Sequence, residues 1–280
     1  METLTKKIPE LFERVQKSCP VIESITNVVT VNDCANIVLA SNGAPTMAEH
    51  KDEVEEIQAN CHGLVLNIGN IAYEQQEAMI RAGKVANQLR HPIVLDPVGA
   101  GASKMRNDAI EKLFKQLKIQ AVRGNISEIK AIAMGKSNTR GVDASPLDLV
   151  TEQNLEQTIQ FAKELSRQKR TIVAISGAID IVADENNAYL IYNGHPSMGK
   201  ITGTGGMVTH VIGVFLSVNQ ETPLEAVTTA IASFAYSGEL ANDYVKEHGG
   251  GTGMFRMALM DAMSNMTPEC LLKGLKVEKR

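Results

Sequence analysis

At 280 residues, 44% of them hydrophobic, the chain can bury a substantial core without disulfides or structural metals. A formal charge of -4, with Lys and Arg scattered rather than blocked, offers no broad basic surface, so a nucleic-acid partner is not expected. Cys19, Cys34, Cys61 and Cys270 form no CxxC pair and no zinc spacing, which points to a reducing, cytoplasmic setting.

The first residues, "METLTKKIPELFERVQKS", set charges among apolar residues at helical spacing and lack the unbroken apolar core of a signal peptide. No apolar run approaches the ~20 residues of a membrane span, so no membrane role is expected. Residues 23–47, "ESITNVVTVNDCANIVLASNGAPTM", place Asn27, Asn32, Asn36 and Asn42 among apolar neighbours. If this stretch is helical, Asn32 and Asn36 share a face. They either line a small polar pocket or simply cap and turn the chain, the commoner use. Met47, read alone, is a core filler.

Four short apolar runs follow: "GLVLNIGN" (63–70), "PIVLDPVG" (92–99), "IQAVRGN" (119–125) and "TIVAISG" (171–177). They lack alternation, as strands buried on both faces do, and segments such as "AYEQQEAMIRAGKVANQLR" between them are long enough for crossover helices. The pattern predicts an α/β fold with a largely parallel sheet and a single domain over 1–280. "IDIVAD" and "AYLIYNG", separated by "ENN", predict a hairpin or two edge strands, and 221–266 is mostly helical in pattern.

Ligands of open parallel sheets bind outside the carboxyl ends of the strands. Asn67, Asp96, Arg123, Asn125, Ser176 and, in an adjacent loop, Glu128 are therefore the first candidates. "LDPVGAGA" and "RGNISEI" supply two carboxylates, Asp96 and Glu128, suited to holding Mg²⁺ through waters, and an arginine, Arg123, whose planar fork suits phosphate. The ordinary alternative is an Asp-Pro turn and an Asn-x-x-Glu helix cap. "ITGTGGMVTHVIGVF" (201–215) opens a helix with three glycines in four residues, which either leaves backbone N–H groups and the positive dipole end bare for an anion or simply makes a tight turn that packs the helix against the sheet. The loop is neither a Walker A motif nor a dinucleotide fingerprint. His210, within the following helix, is expected on its surface.

Taken in order, "ITNVVTVNDCAN", "NIGN", "LDPVGAGA", "RGNISEI", "GAIDIVAD" and "ITGTGG" resemble the hydroxyethylthiazole kinase family over about residues 8–265. The family phosphorylates the alcohol of 4-methyl-5-(2-hydroxyethyl)thiazole with ATP in thiamine salvage. The resemblance implies a ribokinase-like three-layer α/β/α fold, ATP and Mg²⁺, and a homotrimer with active sites at the subunit interfaces. By motif position, Arg123 and Ser176 fall where the family binds ATP, with Asn125 beside them and Ser176 replacing a more usual Thr. Asp96 and Glu128 fall on the acidic positions near Mg²⁺ and phosphate. Met47 and Gly203 fall on the thiazole-binding positions, with Asn27 in the same substrate-side motif. Gly203, Thr204, Gly205 and Gly206 correspond to the anion hole over the transferring phosphoryl group.

The departures gather on the acceptor side. Gly206 stands where the family usually has Cys and the wider ribokinase-like group often has Asp, so no side chain at 206 can take a proton. Ala44 replaces a usual Ser and Asn70 a usual Thr. A general base typically contributes ~10²- to 10⁴-fold, but phosphoryl transfer depends chiefly on positioning and charge stabilisation. The expectation is a slower kinase rather than an inactive one. The alternatives are a divergent paralogue that binds nucleotide or thiazole without significant turnover, and a kinase for another small alcohol.

Overall fold

A computed structural model describes residues 2–134, 150 and 153–280. Its centre is a nine-stranded sheet in the order β2-β1-β3-β4-β5-β6-β7-β8-β9. The strands are β1 (Val21–Ile25), β2 (Ala44–Thr46), β3 (Gly63–Asn67), β4 (Ile93–Asp96), β5 (Ala121–Asn125), β6 (Ile172–Ser176), β7 (Asp180–Ala183), β8 (Ala188–Ile191) and β9 (Val277–Lys279). β1 to β6 run parallel, and β7, β8 and β9 are added antiparallel.

The four unalternated apolar runs form β3 to β6. Along them, successive residues serve opposite layers. Leu64 and Leu66 face one core and Val65 the other; Val173 and Ile175 face the first and Ala174 the second. The first layer holds α3 (Val54–Ala59), α4 (Tyr73–Leu89), α5 (Lys104–Gln116), α6 (Ile126–Met134) and α7 (Leu155–Lys169). Opposite lie α1 (Glu2–Ser18), α2 (Val31–Ala40), α8 (Thr204–Val218), α9 (Pro223–His248), α10 (Thr252–Ser264) and α11 (Pro268–Gly274). The result is a three-layer α/β/α architecture with a mostly parallel sheet, as the strand pattern predicts. "IDIVAD" and "AYLIYNG" form the antiparallel β7–β8 pair.

Three strands escape the sequence pattern. β1 interrupts its apolar residues with Glu23 and Ser24, both buried, while β2 and β9 have only three residues each. Asn32 and Asn36 lie on α2, where Asn36 Nδ2 donates to Asn32 Oδ1 at 3.1 Å on an exposed face; Asn36, but not Asn32, also borders an open groove with Asp33 and Arg256. α8 carries no charged residue, and twelve of its fifteen residues are buried. Its interior position corrects the expectation for His210, which is fully buried rather than on a helix surface.

Candidate active site

Parallel strands bring their carboxyl ends to one edge, and α8 starts there. Gly203, at φ 93°, is the N-cap of α8; this left-handed conformation favours glycine, and a Cβ there would come within 2.5 Å of Thr30 Cγ2. No side chain caps the helix. The amides of Thr204, Gly205 and Gly206 open its first turn, where intrahelical partners are absent and the dipole is positive.

Arg123, from β5, lies against this turn. A Cβ on Gly205 would stand 2.7 Å from its Nη1, so the glycine admits the guanidinium to the amides. Arg123 has no ion pair among the described residues, and its Nε is buried without a hydrogen-bond partner. An unpaired guanidinium beside a bare helix N-terminus is an anion site. It opens into a cleft of about 560 Å³. Ser176, at the end of β6 opposite Asn125, and Asp180 add polar groups to the cleft, while Met198, Ile231 and Phe234 give it an apolar wall.

On the other flank, Asp96 ends β4 beneath α8. Its Oδ2 accepts from Asn67 Nδ2 at 2.8 Å and from Thr209 Oγ1 at 3.1 Å, while Oδ1 is buried without a partner. Burial pushes the Asp96 carboxyl up to about 6; Arg123 opposes this and Glu128 adds to it. The hydrogen bonds continue toward β1. Asn27 Nδ2 donates to Asn67 Oδ1 at 3.1 Å, and Asn27 Oδ1 accepts from the Thr30 amide and hydroxyl at 3.2 and 3.1 Å. Asn27 thus orients Asn67, which orients Asp96.

Glu128 and Asn125 form a reciprocal helix cap, the ordinary reading of Asn-x-x-Glu. Asn125 Oδ1 accepts from Glu128 N, and Glu128 Oε2 accepts from Asn125 N, both at 2.9 Å. Glu128 Oε1 also accepts from Gly99 N at 2.9 Å, fixing the loop after β4. Among the described residues no three acidic, His or Cys groups gather as a metal cage. The unpartnered Asp96 Oδ1 near the charge of Glu128 instead fits a Mg²⁺ held by one or two carboxylates and by substrate phosphates.

Gly206 is buried, and its missing side chain points inward. A Cβ there would meet Cys34 Sγ at 3.2 Å, Thr30 Oγ1 at 3.6 Å and Asn67 Nδ2 at 3.8 Å. The Cys34 thiol therefore stands beside the volume a cysteine at 206 would use. Burial pushes it up to about 12, which keeps it protonated and unfit as a base. His210 is no substitute: burial holds it down at about 4, and its Nδ1 lies 2.7 Å from the Gly206 carbonyl. A carbonyl only accepts, so Nδ1 carries the proton. Met47 follows β2 and is half-buried, and Asn70 lies exposed beyond β3.

Sequence reading missed Thr30, Thr209 and Arg106. Arg106 donates to the carbonyls of Ile68, Val98 and Gly69 at 2.6, 2.7 and 2.8 Å, tying the loops after β3 and β4 together. Thr209 had a legible signal: it lies four residues after Gly205, on the same helix face. Arg106 had none, because its partners are backbone atoms brought near only by the fold.

The sequence matches the model of the hydroxyethylthiazole kinase family over residues 12–269. The chain belongs to this family. It is 44% identical over 271 residues to the hydroxyethylthiazole kinase of Clostridium acetobutylicum, covering 97% of this chain and 99% of that one. It is 41% identical to hydroxyethylthiazole kinase 2 of Methanosphaera stadtmanae, covering 96% of each. The hydroxyethylthiazole kinase structure from Pyrococcus horikoshii superposes with a TM-score of 0.87 at 32% identity, covering 98% of this chain and 99% of that one. A pyridoxal kinase from Staphylococcus aureus shares the fold at TM-score 0.53 and 15% identity, covering 78% of this chain and 87% of that one. The fold is ribokinase-like and the protein is a phosphotransferase.

Proposed function

We propose that this hydroxyethylthiazole kinase family member transfers the γ-phosphoryl group of ATP to the hydroxyl of 4-methyl-5-(2-hydroxyethyl)thiazole, as a single kinase domain in the cytoplasm. The observation that carries this reading is the unpaired Arg123 guanidinium packed on Gly205, between a nucleotide-sized cleft and the Asp96–Asn67–Asn27 chain. Arg123 and the first amides of α8 hold the transferring phosphoryl group and stabilise charge on its oxygens as the bond to the leaving diphosphate lengthens. Ser176 and Asn125 flank the phosphates. Asp96, with Glu128 adding negative charge beside it, would hold Mg²⁺, which would supply neutralising charge to the phosphates. Met47, Gly203 and Asn27 border the acceptor. With neither Gly206, Cys34 nor His210 able to take the proton, turnover rests on positioning, and the alcohol loses its proton late to a phosphate oxygen.

The acceptor side supports a homotrimer with interfacial sites. Val28 and Val29, next to Asn27, are 64% and 72% exposed, an apolar surface that a neighbouring subunit would cover. The test is product formation from ATP, Mg²⁺ and the thiazole by the purified protein, with Asp96→Asn as the control. Phosphorylated thiazole at least 100-fold above that control is expected. Equal rates would reject the proposal. The glycine at 206 favours a second reading, a paralogue that binds both ligands without turnover; calorimetric binding of ATP and thiazole without product would establish it.

A further inference from the structure

Asp180 opens β7 and lines the same cleft as Arg123 and Ser176. Its Oδ1 accepts from Gly177 N at 2.9 Å, which holds the turn after β6. Its Oδ2 has no hydrogen-bond partner among the described residues; the residue is half-buried where it lines the cleft, and burial pushes its carboxyl up to about 6, still ionised at neutral pH. Ser176 Oγ also has no hydrogen bond among the described residues, but other polar groups of the cleft are engaged. Asn193 gives its amide to Glu239 and Gly274 and its carbonyl to Lys276, and His195 Nδ1 accepts from Ser197 N. Asp180 thus holds a free acceptor in a cleft whose inner end is built for an anion.

A carboxylate repels phosphate oxygens and attracts hydrogen-bond donors. A nucleoside triphosphate offers two kinds of neutral donor, the sugar hydroxyls and any exocyclic amine of the base. Met198, Val208, Ile231 and Phe234 form the apolar wall suited to a base ring. Asp180 instead is tied through the Gly177 amide to the end of β6 beside Ser176, one strand from Arg123 and so near the phosphate end. The donors between phosphates and base are the sugar hydroxyls. Resting on the assignment of this cleft to ATP, we infer that Asp180 is a nucleotide-specificity residue, its free carboxylate oxygen accepting a hydrogen bond from a sugar hydroxyl and selecting ribonucleotides over deoxyribonucleotides.

Asp180→Asn keeps the size and the oxygen that receives the Gly177 amide; Asp180→Ala removes both oxygens. Calorimetry with ATP, 2′-deoxy-ATP, 3′-deoxy-ATP and inosine triphosphate on the wild-type protein and both variants tests the assignment. At least one deoxy analogue is expected to bind the wild type about 10-fold more weakly than ATP, and both variants to lose that preference. kcat at saturating ATP should stay within about threefold in Asp180→Asn, because the carboxylate does not touch the reacting atoms. A merely structural role would lower the melting temperature of Asp180→Ala yet leave sugar discrimination intact in both variants, and that result overturns the inference. Discrimination against inosine triphosphate alone, lost in the variants, would assign the carboxylate to the base and also overturn it. A wild type that binds no ATP would overturn the cleft assignment itself, a failure visible before any analogue is tried.

Discussion

The two flanks of the glycine turn differ in how completely one chain builds them. On the nucleotide flank, Arg123, Gly205, Ser176 and the wall from α9 enclose a cleft within one chain. On the acceptor flank, Asn27, Asn67 and Asp96 are linked to one another, yet Val28 and Val29 beside them stand in solvent. The interior differs as well. β1, which leads to Asn27, carries unpartnered buried oxygens on Glu23 and Ser24, and Thr26 just beyond it carries another. The proposed nucleotide flank is therefore a preorganised anion site, whereas the proposed acceptor flank leaves Val28 and Val29 uncovered and holds unpartnered polar groups inside. Of the departures from the family pattern that the sequence resembles, Ala44 and Asn70 fall on the proposed acceptor side, Gly206 where the flanks meet and Ser176 on the nucleotide side.

The largest effect should come from closing the nucleotide flank. Gly205→Ala places a methyl where Arg123 Nη1 now lies, 2.7 Å from the ideal Cβ. The guanidinium is the flexible end of a side chain, so the fold survives while the charge leaves the α8 amides. kcat/KM should fall by roughly 10²- to 10³-fold with the melting temperature nearly unchanged. Wild-type turnover in this variant would remove Arg123 from the mechanism.

The next effect concerns the stability of the acceptor-side strand. Glu23 is fully buried with both oxygens unpartnered, and burial, with Glu53 adding to it, pushes its carboxyl up to about 8. A folded-state value above the unfolded one means the native state holds the proton longer. Its stabilising contribution is complete below the unfolded value near 4.5 and disappears as pH rises through about 8. The wild type should lose roughly 2–4 kcal/mol from this group between pH 5 and 9, and Glu23→Gln should flatten that fall in a melting series. Parallel pH profiles for the two proteins would mean that Glu23 finds a partner in solution.

A smaller effect should separate the flanks. Val29→Asp should prevent subunit association in light scattering and raise the acceptor KM about tenfold while moving the ATP dissociation constant less than threefold. An unchanged acceptor KM in a monomeric variant would mean that one chain builds both flanks.

Legibility in the sequence follows the same division. The proposed nucleotide flank is assembled from strands that announce themselves: "IQAVRGN" and "TIVAISG" are mostly apolar up to their ends, and Arg123 and Ser176 near those ends line the cleft. β1 did not, because Glu23 and Ser24 break its apolar pattern although the fold buries both. His210 misled for the opposite reason. A polar residue in a helix normally marks a wet face, but α8 has no wet face. His210 turns back instead to the carbonyl of Gly206 four residues earlier, and the one Thr209 hydroxyl hydrogen is shared between Asp96 Oδ2 and the carbonyl of Gly205. The absence of any charged residue from Thr204 to Val218 was the available clue.

The smallest expected effect bears on the residue where the flanks meet. If the family's usual cysteine were needed as a base, Gly206→Cys would raise turnover by the ~10²-fold or more that a general base supplies. Its Cβ, however, would enter 3.2 Å from Cys34 Sγ, a distance at which the thiol must move, and Cys34 is linked through Thr30 to Asn27. The single variant should therefore be slightly slower than wild type, because the chain that orients Asp96 is disturbed. Cys34→Ala combined with Gly206→Cys vacates that space and should return kcat to within about fivefold of wild type. An activation of 100-fold in the double variant would show that a proton acceptor is missing, whereas near-equality would leave positioning by Arg123, the α8 amides and Asp96 as the source of the rate.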